Sequence, residues 1–135
     1  MSIITWNSDL IIQIPQIDGE HQQLVALVNR FHEYMMLGLE QPILDQIMPE
    51  LIAATRTHFT NEEDLMLQYK YPDTIVQHMI HQNLFAQIMH LNEKLRRGEM
   101  GLNPETLNFL IEWLNDHIRH DDRRFGDFLH TKGIA

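Results

Sequence analysis

The chain has 135 residues, 44% of them hydrophobic and 21% charged, with a formal net charge of −9 and no cysteine. That length and composition fit one globular domain over residues 1–135, large enough to bury a core. The acidic balance excludes nucleic acid and anionic membrane as partners. The missing thiols exclude disulfides, iron–sulfur clusters and thiolate zinc sites. The start Met-Ser-Ile-Ile-Thr-Trp has no basic segment and no long apolar run. The expectation is therefore a cytoplasmic chain without a membrane span.

In chain order, residues 1–16 read as an irregular arm, with Ile3-Ile4 and Leu10 to Ile14 as apolar runs ending at Pro15. From Ile17 the apolar positions Ile17, His21, Leu24, Val28, Phe31 and Met35 follow steps of four and three. This is the stripe of a helix buried on one side, predicted over about 18–38 with Asp18 as its cap and Gly38 at its end. A second helix is predicted over about 42–69, opened by Pro42 and kinked or restarted at Pro49. Its stripe is Ile47, Leu51, Ala54, His58, Glu62, Leu65 and Tyr69. Tyr71-Pro72-Asp73 makes a turn, and Asp73 is a candidate cap for a third helix over about 73–97. A fourth helix over about 104–120 carries Leu107, Leu110, Leu114 and His117, and Phe125, Phe128 and Leu129 mark a short amphipathic C-terminal helix. Four such helices with short connections predict an all-α, antiparallel up-down-up-down four-helix bundle.

Each stripe is interrupted by a histidine where a bundle wants Leu or Ile: His21, His58, His81 and His117. One core histidine is ordinary. Four of them, together with Glu62, are costly, because each unpaired polar group buried away from water costs about 1–3 kcal/mol and a bare carboxylate far more. His58 and Glu62 stand four apart, as do Gln77 and His81, so each pair shares one helix face. Nitrogen and oxygen donors facing one another across a bundle are suited to a pair of iron or manganese ions.

Ile17-Asp18-x-x-His21, His58-Phe59-x-x-Glu62-Glu63-x-x-Met66, Tyr71-Pro72 and His117-Ile118-x-x-x-Asp122 occur in this order across the chain. With Trp6 in the arm and Trp113-Leu114 before His117, the pattern resembles the hemerythrin family in its bacterial form. The resemblance implies a non-haem di-iron protein that reversibly binds O2 for transport, storage or delivery. It also implies two iron ions, oxo- or hydroxo-bridged, with O2 as exogenous ligand. Carried onto this chain, His21 and His58 would hold the iron that receives O2. His81 and His117 would hold the other, and Glu62 and Asp122 would bridge. Spacing alone favours Asp121 over Asp122, since five residues turn an ideal helix by about 140° and four by about 40°. The family pattern uses five, which implies that the helix loosens after His117.

The chain departs from the family at Gln77, where the pattern has a histidine four residues before His81. Two readings remain open. Either Gln77 occupies the ligand position, with a weak amide ligand or water in place of imidazole, or a helix bulge recruits His78 as an alternative ligand. At about 100° per residue, Gln77 points along the stripe of Leu84, Ile88, Leu91 and Leu95, and His78 points to the flank. An altered position there also admits an oxidase- or peroxidase-like activity, or an oxygen- or iron-sensing domain. No catalytic nucleophile is apparent. Leu114 and Trp113 are the expected walls of an O2 pocket. His120 is a candidate support for His117, and His32, His90 and His130 read as solvated. Glu63 and Asp64 read as outward-facing, and Met35, Met66, Met79 and Met89 as core filler. A closed bundle leaves no long apolar stripe, so a monomer is expected.

Overall fold

A computed structural model describes residues 10–134; Ile3, Ile4 and Trp6 of the arm lie outside the described residues. Helix α1 spans Pro15–Met36 and a short turn α2 spans Glu40–Pro42. A π-helical segment, Ile43–Ile47, leads directly into α3, Met48–Gln68. Helix α4 covers Thr74–Arg96 and α5 covers Pro104–Asp116. A second π segment, His117–Asp122, continues without a break into α6, Arg123–Thr131. Four main helices form the bundle, and no strand occurs among the described residues.

Local chemistry explains where the boundaries depart from the expected ones. Helix α1 begins at Pro15, because proline at the first helical position lacks only a donor that would go unused there. Asp18 therefore lies inside the first turn, and its Oδ1 accepts the backbone N–H of Ile12 at 2.9 Å, pinning the arm. Asp73 precedes α4 without capping it through its side chain; its carboxylate instead pairs with Arg124 at 2.9 Å. Pro49 sits in the first turn of α3, just after the π segment, so the helix widens where the proline cannot donate. The fourth helix does not stop near residue 120. It widens at His117 and runs on, with Arg123 N–H bonded back to Ile118 C=O.

Leu24, Val28, Phe31, Ile47, Leu51, Ile88, Leu91, Leu110 and Leu114 belong to the main core. A smaller cluster at the other end joins Ile12 and Ile14 of the arm to Ile17, Met66, Tyr71, Phe125 and Leu129. Gly126 allows this contact, since a Cβ there would meet Ile12 Cβ at 3.1 Å. Between the clusters every helix carries polar side chains: His21 lies between Ile17 and Leu24, and His58 and Glu62 lie between Leu51 and Met66. Gln77 and His81 lie between Tyr71 and Ile88, and His117 and Asp122 between Leu114 and Phe125. The bundle is thus two apolar layers with a buried polar layer between them.

The helices do not close evenly. Helix α3 packs on α1 and α4, and α5 packs on α1, whereas the seam between α4 and α5 is loose. Met79, expected in the core, is 62% exposed, and Leu67, Ile75 and Val76 beside the α3–α4 turn are also exposed. Some apolar surface therefore remains outside the closed core.

Candidate metal centre

The polar layer resolves into two groups of donors that share two carboxylates. One is His21, His58, Glu62 and Asp122; the other is Glu62, His81, His117 and Asp122. Within each group the donor atoms lie within 4.8 Å of one another, and every member is buried. His21 Nε2 lies 2.5 Å from Asp122 Oδ2, and His58 Nε2 lies 3.3 Å from both Glu62 Oε1 and Asp122 Oδ2. On the other side, His81 Nε2 is 3.2 Å from Glu62 Oε1, and His117 Nε2 is 3.0 Å from Asp122 Oδ2. The π segment explains Asp122. Bonds closed over five residues bring residues five apart onto one face, so His117 and Asp122 both point inward. Asp121, which ideal α-helical spacing favours, is turned to the rim with Oδ2 3.6 Å from His117 Nδ1.

Many of these inward atoms make no hydrogen bond. They include both Glu62 oxygens, His81 Nε2, His117 Nε2 and Asp122 Oδ1. Orphaned buried groups cost about 1–3 kcal/mol each, and a cation offsets that cost for all of them at once. Imidazole and carboxylate are the donors that suit iron, manganese or zinc. The residues present therefore fit a pair of divalent ions.

An outer set of carboxylates orients the imidazoles. His58 Nδ1 hydrogen-bonds Glu20 Oε1 at 2.7 Å, and Asn61 Nδ2 donates to Glu20 Oε2 at 2.6 Å. His81 Nδ1 hydrogen-bonds Glu63 Oε2 at 2.9 Å, and Glu63 also pairs with His78. A carboxylate on Nδ1 fixes the tautomer that leaves Nε2 free to bind a metal. Glu63 is thus no solvated bystander, and Glu20 was not anticipated. Both stand directly beside a core donor in sequence, and that adjacency is the signal that would have found them. His120 is exposed and does not support His117.

With protein charges alone, burial opposes the imidazolium at His58, but Glu62, Asp122 and Glu20 outweigh it and lift the pKa to about 10. At His117 burial likewise opposes charge, and Asp122 overcomes it, raising the pKa well above its ordinary value. Burial would push Asp122 up, yet the facing His117 and His21 hold it well below the usual carboxylate range. Glu20 is also lowered: its partial burial is outweighed by His58 and Asn61.

Gln77 is fully buried one turn before His81, and neither its Oε1 nor its Nε2 has a hydrogen-bond partner. His78 has a half-exposed side chain directed to Glu63. Phe59 stacks on His81 with ring centroids 4.0 Å apart and meets His117 edge-on at 5.1 Å. Leu114 is 1% exposed, and buried Trp113 donates its Nε1–H to Leu84 C=O at 3.1 Å.

The family model of the Hemerythrin HHE cation binding domain matches residues 13–129. The chain belongs to the hemerythrin family. It is 29% identical over 127 residues to a bacteriohemerythrin of Pseudomonas aeruginosa, covering 94% of this chain and 82% of that one. Over 130 residues it is 28% identical to a bacteriohemerythrin of Methylococcus capsulatus, covering 96% and 98%. Among solved structures, a wild-type hemerythrin superposes with a TM-score of 0.84 at 26% identity over 93% of this chain and 96% of that one. The hemerythrin family binds a di-iron centre, and the two donor groups that share Glu62 and Asp122 are where such a pair fits in this chain.

Proposed function

We propose that this hemerythrin domain reversibly binds O2 at a di-iron centre held by His21 and His58 on one side and by His81, His117 and Gln77 on the other. Glu62 and Asp122 bridge the two sides. The observation that carries this reading is the shared pair of carboxylates, since two donor groups with common bridges suit two ions rather than one. When bound, the iron pair supplies the electrons that make O2 uptake possible. The protein's own residues do the rest. Glu20 holds His58, and Glu63 holds His81, with Nε2 aimed inward. Phe59, stacked on His81 and edge-on to His117, gives the centre an apolar wall, and buried Leu114 and Trp113 are the candidate walls of an O2 pocket. Gln77 replaces an imidazole by a neutral amide, a harder and weaker donor.

Metal analysis combined with optical spectra of the anaerobically reduced protein, before and after air, tests the proposal. About two irons per chain and a spectral change reversed on removing O2 are expected. Irreversible oxidation instead identifies a di-iron oxidase or peroxidase-like protein, the reading that the weakened Gln77 position favours. A spectral change coupled to an altered bundle surface identifies an oxygen- or iron-sensing domain. We also infer a cytoplasmic monomer. No helix among the described residues is long and apolar enough to cross a membrane, and sedimentation equilibrium tests the monomer.

A further inference from the structure

The loose α4–α5 seam opens as a groove along the bundle. Its outer part, of about 350 Å³, is lined by Leu91, Met100 and Phe109, with Lys94 at the α4 C-terminal end. Gln87 and Phe109 continue into an inner cleft of about 410 Å³, walled by Glu112, Asp116, His120 and Asp121 and ending on His117. The acidic wall alone would mean little. Its end point is the second observation: His117 is 4% exposed, lines the cleft, and has an Nδ1 without a hydrogen-bond partner, the nearest carboxylate oxygen standing 3.6 Å away. A buried nitrogen facing Asp121 in a cleft that Glu112 and Asp116 also line is a place where a cation is drawn inward. The hydrogen bond from Trp113 Nε1–H to Leu84 C=O spans this seam.

We propose that the α4–α5 cleft is the port through which divalent metal is loaded into and lost from the His81/His117 side of the centre, with Glu112, Asp116 and Asp121 attracting the cation and Trp113 latching the seam. The proposal rests on the metal-centre reading above and adds a route and a direction to it. Clefts lined by one sign of charge raise the local concentration of the opposite ion and speed its capture, an effect that salt suppresses. A second acidic cleft, lined by Glu20, Glu50 and Thr57, reaches His58. It lies where α1 and α3 pack closely, and its Glu50, paired with Arg30 at 3.2 Å, serves as a control for net charge.

The test mixes chelator-stripped full-length protein with Co2+ under anaerobic conditions in a stopped-flow instrument, reading cobalt absorption and tryptophan fluorescence at several salt concentrations. The Glu112→Gln/Asp116→Asn double variant should take up cobalt roughly 3- to 10-fold more slowly, with a flatter salt dependence. Final stoichiometry and the helical circular dichroism spectrum should be unchanged. Trp113→Phe, followed by cobalt absorption alone, should release metal to chelator several-fold faster. Glu50→Gln should leave uptake at the wild-type rate. An unchanged uptake rate in the double variant overturns the port, as does a slowing in Glu50→Gln equal to that of the double variant per charge removed, which would reflect net charge alone. If the wild-type chain takes up no cobalt, the metal-centre reading fails, and the port fails with it.

Discussion

The two donor groups share Glu62 and Asp122 and differ in almost everything else. On the His21/His58 side the helices α1 and α3 pack tightly, and Glu20 is anchored by Asn61 as well as by His58. On the His81/His117 side the bundle is loose between α4 and α5, and Glu63 divides itself between His81 and the half-exposed His78. Gln77, buried one turn before His81, falls on this looser side. A shared bridge thus does not make the halves equivalent. Packing and the outer hydrogen bonds set how firmly each is held.

The largest effect should come from removing what the halves have in common. Glu62→Ala or Asp122→Ala takes a donor from both groups, and metal analysis should find neither ion retained after dialysis. If one ion survives at full occupancy, the shared role is wrong. Gln77→His should reduce the asymmetry, slowing chelator-driven loss of the more labile ion by roughly tenfold or more while leaving the firmer one unchanged. The scale is that of changes that tune metal affinity. An identical release profile in the two proteins would mean that residue 77 does not reach the metal.

Outer-shell changes should separate the halves at somewhat smaller cost. Glu20→Gln should weaken the His58 side, and Glu63→Gln the His81 side, each by about 10–100-fold in metal affinity. Paramagnetic NMR of cobalt-loaded protein distinguishes which imidazole resonances broaden. If both variants disturb the same resonances, the pairing of each carboxylate with its own half is wrong.

The metal-free chain should have a defined pH window. His58 is lifted to about 10 in the folded state, so its contribution to stability is complete below its unfolded pKa and disappears as pH rises through about 10. Asp122 and Glu20 are lowered. Their contributions are present above the ordinary carboxylate pKa and are lost as pH falls through their folded values. Thermal melts of stripped protein should therefore weaken at both extremes. Metal uptake near neutral pH should release protons from His58 and His117, measurable with a pH indicator dye. Proton-neutral uptake would show that these imidazoles are not held charged.

The smallest effect is expected away from both halves. Four helices end with a residue at positive φ: Gly38, Gly98 and Gly133 carry it without strain, but after α3 the position is Lys70 at φ 56°. Its N–H reaches Leu67 C=O at 3.3 Å and Tyr71 N–H reaches Met66 C=O at 2.9 Å, the same closing pattern as at Gly38. Lys70→Gly should stabilise the fold by about 1 kcal/mol in urea unfolding and leave metal release unchanged. A loss of stability would mean that the greater freedom of the unfolded glycine chain outweighs the relieved strain.

The four-helix architecture was legible because its stripes repeat over many turns, and the core donors His21, His58, Glu62, His81 and His117 interrupt those stripes where leucine belongs. Helical phase turns Gln77 inward and His78 to the flank, and Gln77 is buried while His78 is half-exposed. The boundaries were less legible, because Pro15 and the two π segments override cap residues that look adequate in isolation. Asp122 could not be reached from α-helical spacing, since the wide turn that aims it inward leaves no mark in a pattern built on 3.6 residues per turn. Glu20 and Glu63 escaped because single-helix phase turns them outward, and only the neighbouring helix supplies the imidazole that each one meets.

The wide turn at His117–Asp122 can also be seen as a length measurement. A π turn has the effect of one extra residue within an α-helix, so the C-terminal part of this chain is one residue longer than its own rod geometry requires. Deleting one residue between Ile118 and Asp121 would restore a plain α-helix. It would also place the aspartate four residues after the histidine, on the same face. The centre would keep both donors. The far end would keep its place too, because Phe125, Gly126 and Leu129 follow the aspartate at unchanged α-helical spacing and stay turned towards the arm that lies on them. The wide turn therefore absorbs the extra residue and keeps two faces of one rod in register, a donor face towards the polar layer and an apolar face towards Ile12. A relative that loses the residue and the wide turn together should need no compensating change where its arm crosses the last helix; one that loses the residue and keeps the wide turn should.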